Sequence, residues 1–88
     1  QRYIVDIDLT SFGRPWDEFE RDGRHIRAEF ANLRDEDYFP GHLRFLRSLL
    51  DRPNFYLTDF FQQRYERIAR ANTHRVVADL LARGYGAV

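Results

Sequence analysis

The 88-residue sequence predicts an all-α protein, a small bundle of three to four helices, and three observations carry that prediction. Apolar residues recur at spacings of three and four in three separate stretches, the period of a helix with one buried face. Each stretch is bracketed by residues that start or stop helices: Pro15, Asp37 with Pro40, Arg52-Pro53-Asn54, Thr58 and Gly84. The composition, 43% hydrophobic and 32% charged, is too apolar for a disordered tail and suits amphipathic helices with one wet side. No internal repeat or low-complexity tract divides the chain, so residues 1–88 read as a single unit.

The opening segment holds Tyr3, Ile4, Val5, Ile7, Leu9 and Phe12 and stops at Gly13. Its β-branched residues alternate with Asp6 and Asp8 between Ile4 and Leu9, which fits a short strand as well as a buried helix end. Pro15 then opens a helix over 15–31 whose stripe is Trp16, Phe19, Gly23, Ile26 and Phe30. Its other face pairs Asp17 with Arg21 and Glu20 with Arg24 at i,i+4, a solvated scaffold.

Asp37 is the expected cap of a helix over 37–51 with Pro40 in its first turn and Leu43, Leu46, Leu49 and Leu50 as its stripe. The residue before a proline is pushed out of the α region, so Arg52-Pro53 ends it. Thr58 caps a final helix over 58–83 with the stripe Phe61, Tyr65, Ile68, Asn72, Val76 and Leu80, closed by Gly84. Residues 51–58 are thereby a corner between two helices. Asn72 interrupts the last stripe, and its amide is expected to find the corner carbonyls near Arg52 and Phe55. Glu66 is the i+4 partner for Arg70. With Arg52, Tyr56, Arg64 and Arg70 around it, the corner reads either as an ion-paired brace or as a phosphate receptor.

Fourteen cations balance fourteen acids, so no net field draws the chain to nucleic acid or anionic lipid. All fourteen cations are Arg, which reads either as selection for bidentate pairing or, more simply, as a GC-rich coding bias. Without cysteine there is no disulfide framework and no thiolate metal site. No apolar run approaches the ~20 residues that span a bilayer and no signal peptide is visible, so a cytoplasmic location is expected. The start at Gln1 rather than Met leads to the expectation that sequence precedes it.

Phosphate loops, the His-Glu-x-x-His pattern and nucleophile elbows are all missing. His25, His42 and His74 lie on three different expected helices, none with a second His at i+3 or i+4, and read as structural. Asp6 and Asp8 stand in an otherwise apolar segment, where a carboxylate either faces water or meets a metal, a cation or N–H donors.

The strings DIDLTSFG, HIRAEF and FPGHLRFLRSLLDRPNFYLTDFFQQRYERIARAN resemble the C-terminal part of a family of predicted metal-dependent phosphohydrolases of the HD superfamily. The likeness runs through nearly the whole chain; its specific part is the Arg-Pro corner followed by Ala-Arg-x-Asn. His42 and Thr73 depart from the family pattern. That family is all-helical, so the resemblance implies a helix, not a strand, around Asp6 and Asp8. It implies one or two divalent metals in the intact protein, held by a His, a His-Asp pair and a later Asp. Asp8 matches the later Asp best, with Asp6 next. Arg27, Arg52 and Tyr56 are implied candidates for the phosphate side of the pocket or for bracing it, with a small phosphorylated substrate. The other metal ligands would lie upstream of Gln1, so this chain alone should be inactive, with no catalytic residue of its own and no cofactor expected for the fragment. The rival expectation is a non-catalytic helical module that pairs, as a homo-oligomer, through apolar helix faces.

Overall fold

The computed structural model describes Asp6 and residues 8–86. Three helices organise them: α1 over Trp16–Glu29, α2 over Asp35–Leu50 and α3 over Asp59–Ala82, preceded by a 3-10 turn at Thr10–Gly13, with no strand among the described residues. Asp6 and Asp8 are helical, as the resemblance implies. The rest of the helix expected over 3–12 falls partly on residues 3–5 and 7, outside the described residues.

α2 and α3 form an antiparallel pair whose stripes follow the sequence reading in part: Leu50, Tyr65, Ile68 and Val76 are only half-buried, and Ala69 and Thr73, outside the expected stripe, are fully buried. Leu43, Leu46 and Leu49 of α2 are buried, as are Phe61, Ala69, Asn72, Thr73 and Leu80 of α3. Two apolar clusters result. One joins Leu9, Leu49, Phe55, Tyr56, Phe61 and Ala69; the other joins Leu43, Leu46 and Leu80; the Phe12 ring packs against both. The 3-10 turn lies on α3 closely enough that a Cβ on Gly13 would sit 2.6 Å from Tyr65 Cβ, so glycine is what the approach requires.

Three features differ from the sequence reading, each for a local reason. α2 begins at Asp35, capped by no side chain, and Asp37 lies inside the first turn paired with Arg34 at 3.2 Å. Asp35, Glu36 and Asp37 together place negative charge at the helix's positive end, which does the work expected of a single cap. Pro40 thus falls in the second turn, not the first. α1 departs most: of its expected stripe only Phe19 is buried, while Ile26 and Phe30 remain 46% and 45% exposed. The helix leans on the bundle at its two ends, through Phe19 against Phe12 at one (centroids 5.4 Å apart) and Phe30 against Tyr38 at the other (5.9 Å).

α3 ends as its sequence foretells. Gly84 has φ +96°, Tyr85 N–H donates to Leu80 O (3.1 Å) and Gly84 N–H to Leu81 O (3.0 Å), the paired bonds of a Schellman cap. The Tyr85 ring then folds onto Phe39 at 5.1 Å and closes the second cluster.

Candidate functional site

The first described residue is also the most constrained acid in the chain. Asp6 is fully buried, and its carboxylate accepts from Leu57 N–H (2.8 Å), Thr58 N–H (2.9 Å) and Thr58 Oγ1–H (2.7 Å). Thr58 is the N-cap of α3, its Oγ1 accepting from Phe61 N–H at 3.4 Å. A buried anion is tolerable where donors converge and a helix N-terminus adds its positive end, and both conditions hold here. Asp6 is therefore a latch that extends the cap of α3 to the beginning of the chain. Asp8, two residues on, is exposed.

The corner at 51–58 is a brace. Glu66 accepts from Phe55 N–H (2.6 Å), Tyr56 N–H (3.1 Å) and Arg70 Nε–H (2.6 Å), and the Arg70 guanidinium also donates to the carbonyls of Leu50, Arg52 and Pro53 at 3.0–3.3 Å. The Glu66–Arg70 pairing follows the sequence reading. The Asn72 tie does not: its amide donates to Phe12 O (2.9 Å) and Arg14 O (2.8 Å), holding α3 to the exit of the 3-10 turn rather than to the corner. Asn72 lies about 1.7 turns beyond Glu66 along α3, where the carbonyls that meet its amide are those of the 3-10 turn's exit.

Of the three residues expected on the phosphate side or as its braces, Arg52 and Tyr56 come together in the wall of a small cleft at the corner, whereas Arg27 lies apart from them. Arg27, at the end of α1, donates to Phe30 O (2.8 Å), Leu33 O (2.8 Å) and Asp35 Oδ1 (2.9 Å) and lies 4.5 Å from the Tyr38 ring centroid, so it closes the turn between α1 and α2. Arg52 donates to Phe55 O at 3.1 Å within the corner. Tyr56 is fully buried, and its hydroxyl donates to Leu9 O at 2.8 Å. Burial first, then the Glu66 and Asp6 carboxylates, raise the Tyr56 phenol well above its ordinary value, so it stays a proton donor at neutral pH. Each of the three braces the fold.

Among the described residues, no three or more His, Asp or Glu side chains converge as a group that could hold a metal. Asp8 is a single exposed carboxylate, and the residues present do not by themselves fit a divalent ion. His25 and His74 are exposed; His42 is half-buried, stacked on Tyr38 (centroids 5.5 Å apart), with its pKa lowered by burial.

Sequence reasoning passed over one further feature. Between α1, α2 and the second half of α3 runs an open cleft of about 710 Å³, with Trp16, Gly23 and Arg75 in its walls. The Arg75 guanidinium stacks on the Trp16 indole, 3.9 Å from the ring centroid. The two residues are 59 positions apart, and only their residue types mark them as a potential pair. No helix among the described residues is long and apolar enough to cross a membrane. The chain matches no protein-family model, no curated protein and no solved structure.

Proposed function

We propose that this chain is the C-terminal portion of an HD-type metal-dependent phosphohydrolase, to which it contributes Asp8 as one metal ligand. The observation that carries the reading is the division of labour between two neighbouring acids. Asp6 is buried and has its donors within the protein, whereas Asp8 on the same helical turn is exposed and free to ligate. A ligand must be held still to bind well, and the Asp6 latch fixes the backbone that carries Asp8. The all-helical architecture and the motifs given above support the same reading.

Asp8 alone does not make a metal site, so the reading requires a His and a His-Asp pair from residues other than these 88. The metal, when bound, would supply Lewis acidity for phosphoester hydrolysis. The residues present position Asp8 and brace the helices behind it: Asp6 through Thr58, Tyr56 through Leu9, Arg52 within the corner, and Arg27 at the turn into α2.

The test uses the protein as its gene encodes it. Asp8→Asn should lose most of its bound divalent metal, by elemental analysis, and its hydrolysis of p-nitrophenyl phosphate, while the two proteins stripped of metal with a chelator melt at the same temperature. Equal metal content in wild type and variant would overturn the reading, as would an encoded sequence without a His and a His-Asp pair. A helical interaction module is the second reading, favoured by the exposed Ile26, Phe30 and Leu33 at the end of α1. Sedimentation of Ile26→Glu with Phe30→Glu separates the two, because only the module would dissociate to a smaller species.

A further inference from the structure

We propose that the cleft between α1, α2 and α3 is a binding site for a small organic anion, one with an apolar or aromatic body and a single phosphate or carboxylate group, anchored by Arg75. The inference is independent of the metal reading, since it uses neither Asp6 nor Asp8.

Charge is the first ground. The chain as a whole is neutral, yet four arginines line the cleft, Arg24, Arg27, Arg75 and Arg83, against two acids, Glu20 and Asp79. Three of the four are already engaged. Arg24 pairs with Glu20 at 3.2 Å, Arg83 pairs with Asp79 at 3.1 Å, and Arg27 is spent on two carbonyls and Asp35. Arg75 has no carboxylate or carbonyl acceptor among the described residues. Stacking on Trp16 uses the face of its guanidinium and leaves the in-plane N–H donors unspent, and that planar fork is the geometry that takes an oxyanion in two parallel hydrogen bonds.

Shape is the second ground. At about 710 Å³ the cleft is the size of small-molecule pockets, and Trp16, Phe39 and Leu80 give it apolar wall beside the cation. Such a mixture selects a ligand that is part apolar and part charged.

Gly23 is the third. It stands in the interior of α1, where glycine is less favourable than any residue but proline, and nothing in the fold calls for it. Its φ is not positive, and a Cβ built there meets no atom within 4 Å. The space it leaves open belongs to the cleft. A side chain at that position would improve the helix and fill the site.

The experiment titrates the protein encoded by the full gene with phenyl phosphate, following the Trp16 indole N–H resonance, which Trp16→Phe assigns. Saturable movement is expected with a Kd in the range of about 1–5 mM, as befits a ligand of so few atoms. Inorganic phosphate and phenol should each move the resonance far less, and benzoate in parallel distinguishes a phosphate from a carboxylate preference. Arg75→Gln should weaken phenyl phosphate about tenfold. Gly23→Leu should abolish the response while the melting temperature stays level or rises, a combination that loss of folding cannot produce. A linear response to phenyl phosphate, or equal affinity in wild type and Arg75→Gln, overturns the proposal. So does an indole resonance that moves with protein concentration alone, because the cleft would then receive a second copy of the chain.

Discussion

Replacing Asp6 with alanine removes the acceptor from two backbone N–H groups and a hydroxyl at a buried position. The hydroxyl can turn to another partner; the N–H groups of Leu57 and Thr58 are fixed by the chain. A stranded buried donor costs about 1–3 kcal/mol, so two give an upper range of about 2–6 kcal/mol, and water entering the vacated space brings the expected loss to about 3 kcal/mol. At 4–8 °C per kcal/mol for a domain of this size, the melting temperature should fall by about 12–24 °C. Asp6→Asn has nearly the same shape and keeps one oxygen but turns a donor toward the other contacts, so its loss should be intermediate. Asp8→Asn is the internal control, being exposed, and should stay within about 0.5 kcal/mol of wild type. Thermal melts at 222 nm and urea titrations of the three variants report these values. Should Asp6→Asn and Asp6→Ala both match Asp8→Asn, the latch does not exist and the structural role assigned to Asp6 is wrong.

Four further outcomes follow from the same geometry. Asn72→Ala leaves its two accepting carbonyls, Phe12 and Arg14, to find water at a nearly closed site, and urea unfolding should show a loss of about 1–3 kcal/mol. Gly13→Ala forces a methyl to within 2.6 Å of Tyr65 Cβ, so the 3-10 turn must lift off α3, with a loss of about 1–3 kcal/mol by the same measurement. Glu66→Gln keeps one acceptor oxygen and loses the charge that Arg70 faces. Its melt should fall further than that of Glu20→Gln, whose pair with Arg24 is exposed and worth at most about 1 kcal/mol. His42 carries the pH prediction. Burial lowers its folded pKa below the ordinary 6.5, so the unfolded chain binds the proton more readily and stability falls as pH drops below about 6.5. His42→Gln should remove that part of the slope in melts taken from pH 7.5 to 5.

The features legible in the sequence are those whose cause is local. Leu43, Leu46 and Leu49 repeat at helical spacing, Thr58 precedes a helix as caps do, Gly84 follows one, and Glu66 with Arg70 are four apart. The features that were not legible depend on partners with no sequence signature. Asn72 meets the carbonyls of Phe12 and Arg14, and every residue has a carbonyl. Asp6 meets the N–H groups of residues 57 and 58, and nearly every residue has one. Both side chains announce that they need a partner; neither says which. The α1 stripe misleads for a different reason. Periodicity states which face is apolar, not how fully another element covers it, and the bundle leaves Ile26 and Phe30 nearly half exposed.

The latch also has a kinetic meaning. Asp6 reaches across 51 and 52 residues, Tyr56 across 47 and Asn72 across 58 and 60, while the Glu66 brace closes loops of only ten and eleven. Closing a loop of about fifty residues costs about 3.5 kcal/mol of chain entropy, against about 2 kcal/mol for one of ten. The hairpin of α2 and α3 with its corner can therefore assemble from near neighbours, whereas docking of the N-terminal turn waits until that surface exists. Substitutions at Asp6 should accordingly speed unfolding and leave the folding rate nearly unchanged, and those at Glu66 should slow folding. The same order run backwards makes release of the N-terminal turn the first opening of the native protein, and exposes the amides of Leu57 and Thr58 to exchange before those of the α2–α3 core.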